Sequence, residues 1–219
     1  MLDAPAFIRD NTRLIAPPLV PEIRLHLAEE SVPIWLKTEE ELGEINVPPP
    51  YWAFAWAGGQ ALARYILDHA ELFADRSVLD LGAGSGLTAI AAMKAGARSV
   101  LANDIDVLAL AAVTLNAAEN AVAVETSAND LLAMPPSQFD VVLVGDLFYE
   151  RQLAEQVLAF IEAAAKGGAL VLIGDPQRNY FPKGRFVLAA EYQVAVTREL
   201  EDALIKRTAV WRLAGESEK

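Results

Sequence analysis

The junction from Ser77 to Gly86 constrains this chain more than any other segment. An apolar run, Val78-Leu79-Asp80-Leu81, breaks directly into Gly82-Ala83-Gly84-Ser85-Gly86, and a small-residue helix follows to Ala95 with Gly96 as its C′ residue. Glycines at such a place let the backbone turn sharply and approach a ligand with no Cβ in the way. Strands and helices then alternate. Strands are expected over Ser77–Leu81, Arg98–Asn103, Val122–Thr126, Phe139–Gly145 and Ala169–Ile173. Helices are expected over Gly86–Ala95, Val107–Asn120 and Glu150–Ala165, the last with Leu153, Val157, Phe160 and Ile161 along one side. The pattern predicts an α/β fold, a doubly wound and mostly parallel sheet with helices on both faces. Such sheets bind ligands at the carboxyl ends of their strands, where the strand order reverses, so functional residues belong just after the first four strands. The end of the chain departs from the rhythm. Arg185–Val196 and Leu204–Leu213 read as two long strands able to pair antiparallel.

Ahead of this unit, Ala4–Leu14 reads as a helix stopped by Pro17-Pro18, and Pro21–Leu27 as a weakly alternating strand. Thr38–Glu44 is acidic, and Pro48-Pro49-Pro50 ends any regular element. An aromatic segment, Tyr51 to Trp56, turns at Gly58-Gly59 into a helix over Gln60–His69. The expected organisation is a short N-terminal extension over 1–49, a ligand-binding domain over 50–214 and a frayed tail over 215–219. With 53% apolar residues the chain has ample material for a core. Its longest uncharged apolar stretch, Leu81 to Met93, is too short and glycine-rich to span a bilayer. Asp3 and Asp10 stand where a secretory leader would be basic and then apolar, so a cytoplasmic protein without a membrane partner is expected.

The lack of cysteine excludes disulfides, zinc–thiolate sites, iron–sulfur clusters and cysteine nucleophiles. His26 and His69 alone make no usual metal site, and no metal is expected. A net charge of −12 disfavours a nucleic acid partner, which needs clustered Lys and Arg. It suits a cationic substrate or a basic protein segment, and it also serves plain solubility.

The glycine loop lacks the Gly-Lys-Thr of a phosphate loop, and Leu87 stands where a dinucleotide fingerprint has its third glycine. Asp80, two residues before Gly82, would repel a pyrophosphate. It would welcome a ligand with an amino group and a positive sulfur, which describes S-adenosylmethionine. Asp80, Gly82 and Gly84 are therefore cofactor candidates. After the second strand, Asp104 is placed to accept hydrogen bonds from ribose hydroxyls, with Asp106 as the cap of the next helix; the two roles are exchangeable on sequence grounds. Asn129-Asp130 after the third strand is either an adenine-reading pair or a turn. Asp146 follows the fourth strand, where a carboxylate faces the cleft because unpaired burial is costly; the alternative is an N-cap for the helix opening at Glu150. Trp56, and less so Trp52, are placed to cover an adenosyl group or a cation, or else to pack in the core.

On these residues the chain resembles the seven-β-strand S-adenosylmethionine-dependent (class I, Rossmann-like) methyltransferases. More narrowly, it resembles the protein-lysine methyltransferases that modify the electron-transfer flavoprotein β subunit. The resemblance runs from Pro21 onward. It is carried by Pro50-Tyr51-Trp52-Ala53 with Trp56-Ala57-Gly58-Gly59-Gln60-Ala61-Leu62, then by Asn103-Asp104-Ile105-Asp106, Asp146-Leu147-Phe148-Tyr149 and Gly174-Asp175-Pro176. It implies a seven-stranded sheet with a final antiparallel strand and cofactor contacts at Trp56, Gly82, Gly84 and Asp104. It also implies a catalytic Asp-x-x-Tyr motif at Asp146 and Tyr149. The ribosomal protein L11 methyltransferases are a related class, and a ribosomal protein is the second candidate substrate. The roughly 75 residues before the alternating unit are too few for an added recognition domain plus the aromatic segment. The implied reaction is attack by a lysine amine on the cofactor methyl. Asp146 attracts and orients the lysine, Tyr149 bonds the substrate or walls its channel, and the proton leaves to water, since no histidine lies near the motifs. Competing readings are a small-molecule amine or carboxyl methyltransferase, a non-catalytic cofactor-binding protein, and a dinucleotide oxidoreductase, the last opposed by the loop spacing.

Overall fold

The computed structural model describes residues 3–29, 33–34, 49–136, 138–196 and 204–213. The acidic stretch Thr38–Glu44, Pro48 and the tail 215–219 lie outside them. In chain order the elements are α1 (Ala4–Asn11), β1 (Arg13–Ile15), β2 (Leu25–Leu27), α2 (Ala57–Asp68), β3 (Ser77–Leu81), α3 (Leu87–Lys94), β4 (Ser99–Asn103), α4 (Val107–Glu119) and β5 (Glu125–Ser127). They continue with β6 (Val141–Gly145), α5 (Arg151–Lys166), β7 (Leu170–Asp175), β8 (Phe186–Ala195) and β9 (Ile205–Leu213).

Seven strands form one sheet in the order β5-β4-β3-β6-β7-β9-β8. The first five run parallel; β9 pairs antiparallel with β7, and β8 antiparallel with β9. The expected doubly wound sheet, with its antiparallel end, is therefore present. The order reverses at β3, which takes β4 on one side and β6 on the other, so the carboxyl ends of these three strands define the crevice. Apolar residues alternate across the sheet as a strand's period of two requires. Val78, Val141 and Leu143 join one core with Leu62 and Ile66 of α2 and Ile90 of α3. Leu79, Val142 and Val144 join the other with Val157, Phe160 and Ile161 of α5. Both faces are thus covered, which is why the central strands read as unbroken apolar runs.

Residues 3–29 lie against this unit. Phe7 and Ile8 of α1 pack with Leu108, Ala109 and Ala112 of α4 and with Trp52. Asn116 of α4 is wholly buried; its Oδ1 accepts from the His26 amide at 2.7 Å and its Nδ2 donates to the Ser85 carbonyl at 2.8 Å, tying the β1–β2 hairpin to the glycine loop.

Four element boundaries depart most from expectation. The strand expected over Pro21–Leu27 is confined to Leu25–Leu27. The first helix ends at Asn11, because Thr12 turns extended and Arg13–Ile15 pairs with Leu25–Leu27. The third strand is Glu125–Ser127, three residues later than the apolar pattern indicated; Val122 and Val124 pack on the core, and the short strand beyond them forms the sheet edge. Gly58-Gly59 is not a turn, since α2 already begins at Ala57. These glycines instead permit contact between α2 and the sheet. A Cβ on Gly58 would collide with the Gly174 carbonyl and lie 2.5 Å from Asp146 Oδ2, whereas a Cβ on Gly59 would meet nothing within 4 Å.

This contrast yields a test. Gly58→Ala should lower unfolding free energy by about 1–3 kcal/mol, the usual range for overpacking a tight contact. Gly59→Ala, one residue away, should stay within about 0.5 kcal/mol of the parent. Urea titrations of both proteins check the difference, and equal midpoints would refute the steric reading.

Candidate active site

The crevice begins with the glycine loop between β3 and α3. Gly82, Gly84 and Gly86 have φ of 67°, 51° and 78°, a left-handed geometry that side chains with a Cβ rarely adopt. At Gly84 an added Cβ would have Trp52 Cα, 3.9 Å away, as its nearest neighbour, so the loop leaves open space above that residue. Asp104, just past β4, holds this loop down. Its Oδ2 accepts the Gly84 amide at 2.9 Å, while its Oδ1 accepts the Asp106 amide at 3.0 Å. Burial pushes the Asp104 carboxyl above its usual range, and hydrogen bonds from Asp106, Gly84 and Ile105 oppose the shift. Asp106 caps α4 through Leu108 N at 2.8 Å, which separates the two roles left exchangeable in the sequence.

Asp80 lines the crevice from β3, almost wholly buried. Its Oδ2 accepts Thr88 Oγ1 at 2.7 Å and Ala89 N at 2.9 Å, bracing the first turn of α3. Burial raises its pKa to about 6 against the lowering effect of those two bonds. Asn129 and Asp130 are exposed beyond β5. The Asn129 carbonyl accepts from Asn103 Nδ2 at 2.9 Å, and Asp130 starts a short 3₁₀ turn with no side-chain cap.

Asp146 closes the crevice. It is 8% exposed and has a φ of 58°, a strained left-handed conformation for a residue with a Cβ. Its amide donates to the Gly174 carbonyl at 3.0 Å. Its Oδ2 accepts the Gly59 amide at 2.9 Å, so the carboxylate sits at the N-terminus of α2, where the helix dipole favours an anion. That use is unlike the expected alternative, because α5 begins at Arg151 with Glu150 in the N-cap position and no side-chain cap hydrogen bond. On Oδ1 it accepts Arg178 Nε at 2.9 Å and Nη2 at 2.7 Å. The Arg178 guanidinium also lies 5.4 Å from the Trp56 ring centroid, and the Arg178 amide donates to Asp175 Oδ1 at 2.7 Å.

A narrow cavity of about 50 Å³ joins these parts, lined by Phe54, Trp56, Asp80, Gly84, Asp146 and neighbours. Among the described residues that line it there is no Lys or Arg. A wider hollow of about 270 Å³ lies beside β1, among Asp10, Arg13, Glu29 and Ile34, away from the strand ends that form the crevice. Tyr51 and Tyr149 meet at a tilt with ring centroids 5.5 Å apart, Tyr51 also packs on Trp56 of the cavity wall, and both tyrosines are about two-fifths exposed. Burial lifts the Tyr149 phenol to about 12, so it stays protonated across the neutral range. Trp56 donates from Nε1 to the Tyr51 carbonyl at 2.9 Å. Trp52 is buried in the core with α1 and α4.

The crevice thus brings together Trp56, Asp80, Gly82, Gly84, Asp104, Asp146 and Tyr149, and leaves Asn129 and Asp130 on the surface at its edge. Sequence reasoning passed over Arg178 and Asn116, and quoted Asn103 only within Asn103-Asp104-Ile105-Asp106 without a role of its own. A lone arginine in a loop after the fifth parallel strand carries no spacing signal. Asp175, noted only within Gly174-Asp175-Pro176, proves to be fully buried. Burial, and then the charge of Asp146, raise its pKa to about 7.

That shift sets a pH dependence. The folded pKa lies above the unfolded value of about 3.9. The native state therefore holds a proton that the unfolded chain has lost, and stability should fall as pH rises from 4 through about 7. Asp80 acts in the same direction up to about 6. Asp175→Asn keeps an acceptor for the Arg178 amide and should flatten the slope between pH 6 and 8 in urea titrations. An unchanged slope would refute the assignment.

With the geometry in hand, relatives can be compared. Residues 60–174 match the family model for ribosomal protein L11 methyltransferase (PrmA). Over 217 residues the chain is 37% identical to the electron transfer flavoprotein beta subunit lysine methyltransferase of Danio rerio, covering 96% of this chain and 83% of that protein. It is 35% identical over 213 residues to the Homo sapiens protein of the same description, covering 94% and 80%. A Geobacter sulfurreducens ribosomal protein L11 methyltransferase is 36% identical over a shorter 173 residues, 77% of this chain and 56% of that protein. Among solved structures, a candidate RNA methyltransferase from Pyrococcus horikoshii shares the fold, with a TM-score of 0.53 at 17% identity over 71% of this chain and 82% of that one. Sheet order, crevice and sequence agree: this chain belongs to the methyltransferases, in the family of electron transfer flavoprotein beta subunit lysine methyltransferases.

Proposed function

We propose that the enzyme uses S-adenosylmethionine to methylate lysine side chains of the electron transfer flavoprotein β subunit. The carrying observation is Asp146, held at the closed end of a crevice whose other walls are the glycine loop and Trp56. The cofactor fits the residues present. Gly84 leaves the space a Cβ would fill, Asp104 stands past β4 where ribose hydroxyls are met, and the walls are acidic rather than phosphate-binding. When bound there, this cofactor supplies a methyl group on a positive sulfonium. The substrate class follows the family's own description and suits a net charge of −12, which draws basic segments and makes their approach salt-sensitive.

A free lysine has a pKa of about 10.4, so neutralising it at pH 7 costs roughly 4.6 kcal/mol. The protein's contribution is positional. Asp146 orients the incoming nitrogen, while Tyr51 and Tyr149 wall its approach with aromatic faces. The described residues place no histidine among the crevice walls, and the proton passes to water.

The cofactor reading is tested by calorimetry. S-adenosylmethionine and its demethylated product should bind, NAD should not, and Gly84→Val should abolish binding. Asp104→Ala frees the loop amide as well as any hydroxyl partner, and should weaken binding by about 1–3 kcal/mol.

For the transfer step, purified flavoprotein, ribosomal proteins and free lysine are offered with labelled cofactor at two salt concentrations. Label is expected in the flavoprotein, less at high salt. Label in ribosomal proteins instead would move the substrate, and label in free lysine alone would end the protein-substrate reading. Asp146→Asn should lose turnover while retaining cofactor affinity.

A further inference from the structure

The ion pair at the base of the crevice alters what Asp146 can do to a lysine. Both donors from Arg178 fall on Oδ1, at 2.9 and 2.7 Å, and the guanidinium is only 17% exposed. It is held by Asp146 after β6, by Trp56 at the head of α2, and by Asp175 at the end of β7, which accepts from the Arg178 amide. Displacing it would give up two charge-assisted hydrogen bonds to Asp146 Oδ1 and its place over the Trp56 ring. It therefore stays when substrate enters.

We infer that Arg178 is a positioning residue that cancels the charge of Asp146, so that the crevice accepts the substrate lysine as a neutral amine rather than trapping it as an ammonium. This rests on the lysine-methylation reading above. A bare carboxylate in a low-dielectric cleft would stabilise the ammonium, and the ammonium has no lone pair with which to attack. Such stabilisation of the ground state slows the chemical step. With Arg178 in place Asp146 acts as a hydrogen-bond acceptor that aims the nitrogen, while the guanidinium and the sulfonium both oppose a third positive charge. The amine lone pair forms the N–C bond, and the C–S bond breaks with its electrons going to sulfur, which becomes a neutral thioether. The methylated nitrogen carries the positive charge and releases its proton to water.

The remaining groups around Asp146 are acidic or phenolic. Asp175 faces it from β7 and Asp80 from β3, with pKa values near 7 and 6; Asp104 lies past β4, and Tyr149 and Tyr51 stand at the mouth. From α2 comes the Gly59 amide. These neighbours would favour the ammonium, which is what makes the contribution of Arg178 measurable.

The experiment follows kcat and KM for transfer from labelled S-adenosylmethionine to the purified flavoprotein β subunit, from about pH 6 to about pH 10, where the midpoint of kcat reports the bound lysine. The parent enzyme should show a midpoint at least one unit below the free value of about 10.4. Arg178→Gln should raise the midpoint by about one unit and cut kcat at pH 7 about tenfold, with KM equal or lower. Arg178→Lys, which restores a cation, should return the midpoint toward that of the parent. A purely structural role would change kcat and KM and leave the midpoint in place, and that outcome overturns the inference. So does a parent midpoint at or above the free value, a measurement that stands even if Arg178→Gln fails to fold. A parent enzyme that labels no lysine removes the substrate reading and this inference with it, whereas an active parent with an immobile midpoint removes this inference alone.

Discussion

The architecture of the site depends on one backbone contact, the seating of Gly58 against Gly174. Neither position tolerates a Cβ, because each would strike the other residue's carbonyl. The contact brings the N-terminus of α2 down onto the carboxyl end of β7. Gly145 and Gly174 are paired in register on β6 and β7, so the next residue, Asp146, emerges directly beneath the helix. It turns left-handed, hands its amide to the Gly174 carbonyl, and takes the Gly59 amide on its carboxylate. The strain of that backbone is offset by two hydrogen bonds and by the positive end of the helix. A bulkier pair at 58 and 174 would lift α2, open the crevice and release Asp146 together.

Charge is distributed in the crevice with the same economy. Four carboxylates crowd the strand ends, at Asp80, Asp104, Asp146 and Asp175. Two of them, Asp80 and Asp175, are driven by burial toward their protonated forms near neutrality. Asp104 is engaged with the backbone of its own loop and of the glycine loop. Asp146 is matched by a cation, Arg178, which places two donors on its Oδ1. The result is a polar cleft whose innermost carboxylate is paired with a cation. Aromatic faces at Tyr51, Trp56 and Tyr149 complete its rim.

Much of this was legible in the chain itself, and for identifiable reasons. The central strands are buried on both faces, so they appear as apolar runs, and their ends are marked by residues that no apolar run would carry: Asp80, Asp104 and Asp146. The glycine loop after Ser77–Leu81 announces a tight turn. Asp106 as a helix cap follows from its position before Val107. Elements near the edge were less legible. Glu125–Ser127 has no apolar signature because an edge strand is half exposed, and the early end of α1 depends on a hairpin whose partners, such as Ile15 and Leu25, are not neighbours in the chain.

The sequence alone determined the strand–helix order, the parallel sheet, the glycine loop and which carboxylates stand at the strand ends, because each of these is written in local periodicity or in a break from it. Only the tertiary structure decided what those carboxylates do. That Gly58 is a contact point and not a turn, that Asp175 is buried, that Asn116 ties the hairpin to the loop, and that Arg178 neutralises Asp146 all arise between residues far apart in the chain. A side chain's charge partner is set by which strand ends the sheet brings side by side, and no spacing along the chain records that.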